Sequence, residues 1–195
     1  MANGTAGVIA VSAEADAVAD DDAAAAAVAL AGAVQAGFLS TGDQTIAMTN
    51  DGAVSVSADA AAEANEASVL VLAGVGVGQV GFAPGTGVDV DIDFTNSASG
   101  AIEVSAVGAA TGDDEAGAFV IAGAGLAQVG IGNNVDISAS NAGLIDVGAN
   151  AAASASEATA FALAGVGVLQ AGIGGATGAI TLSTAEVSLV NAEGG

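Results

Sequence analysis

The sequence predicts an all-β fold, a β-solenoid or cross-β-like stack of four repeats of about 45 residues. Three observations support this prediction. A Gln-x-Gly motif recurs along the chain, apolar residues alternate with polar ones, and 53% of the residues are hydrophobic although only 3% are aromatic. A core made of Ala, Gly and Val requires closely packed sheets. We therefore expect residues 1–195 to form a single repeat domain.

The recurring motif is Gln, any residue, Gly and then a bulky apolar residue. Its glutamines lie about 42 to 49 residues apart, and a period of this size is typical of stacked structural units. In register, a buried Gln can form hydrogen bonds with the Gln of the repeats above and below, which makes an amide ladder. The glutamines are Gln35, Gln79, Gln128 and Gln170.

A second marker is an Ile or Val two residues before a Val, as in Ile9 and Val11, shortly after an Asn and a Gly. The arm from this marker to the glutamine has a nearly constant length of about 25 residues, whereas the return segment varies in length, as surface loops do. The asparagines are expected to form a second ladder at the turns, and they are Asn3, Asn50, Asn96 and Asn141. The predicted repeats are 3–49, 50–95, 96–140 and 141–190, and 191–195 resemble the start of a further repeat or a subunit junction.

The first half of each arm alternates with a period of two, which indicates a strand with one apolar face. In the first repeat, Val11 and Ala13 lie on one face, and Ser12 and Glu14 lie on the other. An acidic group in the middle of each arm predicts a solvated turn between two strands. These groups are Asp20, Asp21 and Asp22, then Glu63 and Glu66, then Asp113, Asp114 and Glu115, and finally Glu157.

The second half of the arm is apolar on both faces, over 69–80, 119–131 and 161–173, which is typical of a strand buried on both sides. Gly74 and Gly76 alternate with valines there, and glycines on one face let another sheet approach closely. An Ala-rich helix over 22–33 is a local alternative, because Ala is the best helix former. The other repeats carry Val and Gly at matching places, which favours a strand.

Each return segment starts with turn residues and continues as a short alternating strand. Pro84, the only proline, falls in such a turn, where it removes no hydrogen bond from a sheet. The predicted short strands cover 45–48, 88–94, 135–137 and 179–182.

Composition excludes several classes of function. The chain has 22 acidic residues and neither Lys, Arg, His, Cys, Trp nor Tyr, so its net charge is −22. Nucleic acid is not expected as a partner, because phosphate binding depends on Lys and Arg. An enzyme is not expected either, since acid–base catalysis would fall to Asp and Glu alone. No cofactor is required, but a polyanion needs counter-ions, and Ca²⁺ is the natural candidate.

Asp89, Asp91 and Asp93 alternate with apolar residues, which places three carboxylates on one face of a strand. An EF-hand loop is excluded, because Phe94 stands where Gly is required and Gly100 stands where Glu is required. Two interpretations remain, a solvated strand face, which is the commoner situation for carboxylates, and a cation-binding ladder. The same two interpretations apply to the mid-arm acids Asp20, Asp21, Asp22, Asp113, Asp114 and Glu115.

The apolar runs over 68–88 and 158–185 are long enough to cross a bilayer. No transmembrane segment is expected, however, because Lys, Arg, Trp and Tyr are missing from their flanks. Residues 1–5 show neither the basic nor the apolar region of a signal peptide. A secreted chain would then use a route that needs none, or the sequence is a mature form or a segment of a longer protein.

The run Gln128-Val129-Gly130-Ile131-Gly132-Asn133-Asn134 resembles the repeats of bacterial functional amyloids of the curli and Fap types. The opening Asn141-Ala142-Gly143-Leu144-Ile145-Asp146-Val147 resembles those of β-solenoid surface adhesin repeats. The present repeats depart from the curli type, because they are longer, lack a second row of Gln and contain no Tyr.

The resemblance implies a secreted subunit, extracellular or at the cell surface, that stacks into a fibre of a biofilm matrix or a surface appendage, with or without a cell-surface anchor. Open strand edges are templates for further pairing, so copies of the chain itself are the expected partners, joined head to tail. Two alternatives stay open, a segment of a large repetitive surface adhesin and a calcium- or mineral-binding solenoid.

Overall fold

All regular secondary structure in the described part of the chain is β-strand. The computed structural model describes residues 1–38, 41–83, 87–174 and 185–191. The strands are β1 (Ala2–Asn3), β2 (Val8–Val18), β3 (Asp22–Phe38), β4 (Gln44–Asn50), β5 (Ala53–Phe82), β6 (Val90–Asn96), β7 (Ala101–Gly132), β8 (Val135–Asn141), β9 (Leu144–Ser154), β10 (Glu157–Gly174) and β11 (Ala185–Asn191). The all-β prediction is confirmed, and the Ala-rich stretch predicted as an alternative helix is strand β3.

The strands form two parallel sheets. The short-strand sheet has the order β1-β4-β6-β8-β11. The long-strand sheet has the order β10-β7-β5-β2, and in it β3 also pairs with β5 and β9 with β7. Every pairing is parallel, so each strand lies beside the strand that follows it by roughly 45 residues, which is the period read from the sequence.

The markers of the sequence analysis are partners across the sheets. Ile9 pairs with Val54, Val54 with Ile102, and Ile102 with Ile145. The pairing of β1, β4, β6 and β8 likewise places Asn3, Asn50, Asn96 and Asn141 in one row. Equivalent residues therefore stack on equivalent residues, and each stack repeats at the spacing of neighbouring strands, about 4.8 Å.

The predicted turn in the middle of each arm is only partly present. The chain leaves strand geometry between β2 and β3 and between β9 and β10, but β5 and β7 run through the acidic region without a break. A register shift between Ala64 and Glu66 marks the bend in β5. The prediction of two strands per arm is wrong for β5 and β7, because their hydrogen bonds continue across the bend, as from the Glu66 amide to the Asp21 carbonyl at 2.8 Å.

The core lies between the two halves of the long strands, which face each other. A Cβ atom at Gly108, in the first half of β7, would lie 2.6 Å from Val120 in the second half. Alternate Ala and Val side chains of both halves form the largest buried cluster. Val56 and Val104, on the two central strands, are fully buried, whereas the matching Val11 on β2 is only partly buried, since β2 has a neighbour on one side alone.

The short-strand sheet covers the remaining part of the core. Met48 on β4, Phe94 on β6 and Ala139 on β8 pack against Val77 and Leu126 of the long strands. β4, β6 and β8 agree with the predicted return strands, whereas Pro84 and the predicted strand over 179–182 lie outside the described residues. Gly42 and Gly87, in the return segments, have positive φ angles of 82° and 71°, which glycine adopts without strain in turns.

The sequence predicted that the second halves of the long strands are buried on both faces. The structure shows that only one face is buried. Their inward residues belong to the core, but Leu70 and Phe119 on the outward face are 41% and 44% exposed. The apolar outward face is therefore uncovered in the described chain. Continuous hydrophobicity indicates two apolar faces, but it does not show what covers the second one.

The alternating glycines meet different neighbours. A Cβ at Gly74 would overlap the backbone of Leu30 in the adjacent strand, whereas a Cβ at Gly76 would overlap the Ile102 side chain and lie 2.7 Å from the Gly125 carbonyl oxygen. Both glycines thus permit close approach, but the prediction that they do so on a single face is wrong.

Replacing Gly76 by Ala should lower the free energy of unfolding by about 1–3 kcal/mol, the usual cost of overpacking, because the Gly125 backbone cannot move aside. Gly117 is the matched control, since a Cβ there would have no atom within 4 Å. Gly117→Ala should be neutral or stabilising by up to about 1 kcal/mol. Urea denaturation followed by circular dichroism measures both, and equal effects of the two substitutions would contradict the close packing at Gly76.

Candidate functional site

The four predicted glutamines form a hydrogen-bonded row through the long-strand sheet. The Gln170 side-chain amide donates to Gln128 Oε1 at 2.8 Å, and the Gln128 amide donates to Gln79 Oε1 at 2.9 Å. The row continues from Gln79 to Gln35 Oε1 at 3.4 Å. Gln79 and Gln128 are fully buried, and Gln35 and Gln170 are partly exposed because they lie on the outermost strands.

The glutamine row also connects the two sheets. Gln79 Nε2 donates to the backbone carbonyl of Asp93 on β6, and Gln128 Nε2 donates to that of Ser138 on β8, both at 3.1 Å. Each buried amide nitrogen therefore uses both of its hydrogens, one along the row and one across to the short-strand sheet.

The asparagines form a second row, where the short strands turn into the long ones. Asn3 donates to Asn50, Asn50 to Asn96, and Asn96 to Asn141, each at 2.8 Å between Nδ2 and Oδ1. The two rows have opposite senses, because each Gln donates to the preceding strand and each Asn donates to the following one. Both rows are continuous chains of amide hydrogen bonds, and such chains strengthen their members by mutual polarisation.

Gln44 is a buried polar residue that the sequence analysis did not select. It is 4% exposed, and its Oε1 has no hydrogen-bond partner in the described part of the chain. Its position was visible in the repeat alignment, because Gln44 pairs with Val90 and Val90 pairs with Val135. A polar residue at a position that is Val in the next two repeats is the signal that could have identified Gln44 as a buried polar residue.

Mid-arm acids from successive strands share one exposed row. Asp22 pairs with Glu66, Glu66 with Glu115, and Glu115 with Glu157. Of the predicted metal ligands, Asp22 and Glu115 belong to this row, and Glu66 and Glu157 complete it, although they were not selected as ligands. The other predicted ligands of this region, Asp20, Asp21, Asp113 and Asp114, lie outside it.

The aspartates around β6 have separate partners. Asp89 Oδ1 accepts a hydrogen bond from Asn134 Nδ2 at 2.9 Å, and Asp93 Oδ1 accepts one from Ser138 Oγ at 2.6 Å. Asp91 instead pairs with Asp136 on β8. Partial burial raises the pKa of Asp91, and the charges of Asp136, Asp93, Asp89 and Asp43 raise it further.

Metal binding by these acids stays a prediction. Among the described residues, no three or more acidic side chains converge in an arrangement that could hold a metal ion. In both acidic regions the carboxylates follow one another along a row, and a row offers a cation ligands from neighbouring strands rather than an enclosing cage.

Comparison with protein-family models, with characterised proteins and with solved structures finds no match for this chain. Across the described ranges, no helix has the length and apolar character needed to span a membrane. The geometry of the described residues offers repeated hydrogen-bonding rows that end on the outermost strands.

Replacing Gln79 by Leu should destabilise the fold by about 2–3 kcal/mol, because it removes the hydrogen bond to the Asp93 carbonyl and leaves one N–H of the buried Gln128 amide without its acceptor. Gln44 provides the control, since its Oε1 already lacks a partner, and Gln44→Leu should cost less than about 1 kcal/mol or stabilise. Thermal unfolding followed by circular dichroism compares the two. A larger loss at Gln44 than at Gln79 would contradict the energetic role of the row.

Replacing Asp91 by Asn should stabilise the fold at pH 7 by less than about 1 kcal/mol, the scale of exposed charge pairs. The pKa of Asp91 is raised in the folded state. Below the ordinary Asp pKa its carboxyl group is protonated in the folded and the unfolded state and causes no repulsion. The repulsion develops as the pH rises from there through the raised pKa. The gain should therefore vanish near pH 3. Asp16→Asn, opposite Ala61, is the control that removes an equal charge, and an equal gain from it would contradict a local origin.

Proposed function

We propose that this chain is a non-enzymatic β-solenoid subunit of four coils that stacks head to tail into an extracellular fibre. The observation that carries the proposal is the state of the outermost long strands. β2 and β3 form one end of the long-strand sheet, β9 and β10 form the other, and each has a strand neighbour on one side only within the described chain.

These outermost strands leave apolar core residues half-covered. Val11 on β2 and Val147 on β9 are partly exposed, whereas Val56 and Val104 between them are fully buried. A further strand at either end would bury these side chains and satisfy the backbone groups of the edge. Uncovered strand edges of this kind are templates for pairing with another chain.

The two ends are also complementary in register. A second copy placed with its β3 beside β10 would bring its Gln35 over Gln170, as Gln128 lies over Gln79 within the chain. Because each Gln donates to the Gln of the preceding strand, this head-to-tail arrangement continues the glutamine row without reversing any hydrogen bond. In the short-strand sheet the place beside Asn141 is taken by Asn191 of the same chain, so the first residues of the second copy, up to its Asn3, would have to make way for β11.

Acidic rows would oppose this stacking at neutral pH. The junction would bring Asp22 of one copy close to Glu157 of the next, and two carboxylates about 4.8 Å apart repel by roughly 0.9 kcal/mol in water. Lower pH removes this charge and Ca²⁺ shields it. We therefore expect assembly to be promoted by acid or by calcium.

The resemblance to curli- and Fap-type repeats supports a role in a biofilm matrix or a surface appendage. The main alternative is a segment of a large repetitive surface adhesin, in which further coils of the same polypeptide cover the open edges. A calcium- or mineral-binding solenoid is the other, and the acidic rows favour it. The isolated 195-residue chain discriminates between them, because only the first proposal requires it to form filaments by itself.

The fibre proposal predicts that the purified chain forms filaments visible by electron microscopy and that a charge at the core of one end blocks them. Ala13→Glu places a carboxylate at the partly buried inward face of β2, so seeded elongation should slow by at least about tenfold, as burial of an unpaired charge is costly. Ala10→Glu is the control, because Ala10 lies on the exposed outward face of the same strand.

Circular dichroism serves as the control that both variants are folded before their elongation is compared. Elongation of the wild-type chain should accelerate when the pH falls from about 7 to about 4, where carboxylates protonate, or when Ca²⁺ is added. Chelator should reverse the effect of calcium. Absence of filaments under all these conditions, or equal slowing by both variants, would overturn the proposal of end-to-end stacking.

A further inference from the structure

The outward face of the second halves of the long strands carries rows of large apolar side chains. Leu70 pairs with Phe119 and Phe119 with Phe161, and the ring centroids of the two phenylalanines are 4.9 Å apart with an interplanar angle of 9°. A parallel row contains Val28, Leu72, Ile121 and Leu163. We call these seven residues the outer apolar face.

The outer apolar face carries no charge, and most of its side chains are exposed. Its Phe161 and Leu163 are 46% and 49% exposed. By contrast, the outward face of the first halves is polar, with Glu14 opposite Asp59 and Ser57 opposite Ser105. The long-strand sheet thus has one polar outward surface and one apolar outward surface. Removing the apolar surface from water is favourable.

We propose that the outer apolar face packs against the same face of a second copy of this chain, and that in the fibre proposed above this contact pairs two filaments side by side. The filament part of this inference rests on the proposed function. The copy-to-copy contact itself rests on the spacing, charge and area of the face.

Spacing favours a second copy over an unrelated partner. The apolar rows repeat at the distance between neighbouring strands, about 4.8 Å. A second copy presents rows with the same repeat, so its side chains can interdigitate along the whole face, as in the dry interfaces between paired sheets. A two-fold arrangement uses the same patch on both copies.

Charge selects this face for contact between copies. Each copy carries a net charge of −22 and no basic residue, so copies repel wherever their acidic surfaces meet and cannot form ion pairs between side chains. The outer apolar face contains no acidic residue, and desolvating it leaves no carboxylate buried. Contact between copies through this face therefore avoids the cost of burying like charges.

Area sets the strength of the contact. The exposed parts of these side chains amount to on the order of 500 Å² per copy, which is comparable to the largest apolar patch of a typical monomer, and such patches are often functional. A standard stable interface buries about 800 Å² per partner. Two single copies should thus pair weakly, whereas stacked copies add their areas, so that paired filaments are held firmly.

The test compares Phe119→Asp with Val107→Asp. Val107 is 37% exposed on the polar outward face of the same strand, so the control adds an equal charge away from the outer apolar face. Electron microscopy of filaments should show paired filaments for the wild type and for Val107→Asp, and single filaments for Phe119→Asp. Elongation should stay within about twofold in all three. Phe119→Leu, which keeps the face apolar, should retain pairing.

Paired filaments of Phe119→Asp, or single filaments of the wild type, would overturn the inference while leaving the fibre proposal intact. If no filaments form, the fibre proposal fails, and sedimentation equilibrium of the soluble chain decides the contact. A concentration-dependent dimer that Phe119→Asp loses supports the face-to-face contact, and a monomer at all concentrations overturns it. Binding of a monomeric chain to phosphatidylcholine vesicles, abolished by Phe119→Asp, would also overturn it by assigning the face to lipid.

Discussion

The parallel, in-register pairing of the long strands is the constraint on which the rest of this structure depends. It places Val56 beside Val11 and Val104, and it aligns the glutamines and asparagines in rows. A shift of one residue would move Val56 outward and Ser57 into the core, because successive side chains point to opposite faces. The buried amide rows would lose their hydrogen bonds at the same time, so apolar packing and polar bonding specify the same register.

The distribution of polar groups follows from what each can do in a row. An amide both donates and accepts, so a column of Gln or Asn satisfies itself when it is buried. A carboxylate only accepts, and a column of carboxylates accumulates repulsion. Accordingly, the buried polar side chains of the described residues are all amides, and Asp22, Glu66 and Glu115 form an exposed row. In a chain without basic residues, exposure to water screens the repulsion within such a row.

Two surfaces of the fold remain incompletely covered, and they are chemically distinct. The outermost strands offer backbone groups and half-buried Ala and Val, which favour a continued sheet. The outer apolar face offers large side chains such as Phe119 with no unsatisfied backbone, which favours packing of one sheet on another. Both surfaces repeat with the strand spacing, so assembly along one direction increases the area available in the other.

The sequence by itself determined the all-β class, the positions of the short strands β4, β6 and β8 and the residues that become partners, because in-register stacking makes equivalent residues neighbours. The alignment of Ile9 with Val54 and of Gln79 with Gln128 needed no coordinates. Only the tertiary structure decided that β5 and β7 continue through their acidic bend, that Gln44 is buried without a partner for Oε1, and that Phe119 faces outward uncovered. Those outcomes depend on which element lies against each face of a strand, and a periodic pattern records the two faces without recording what covers them.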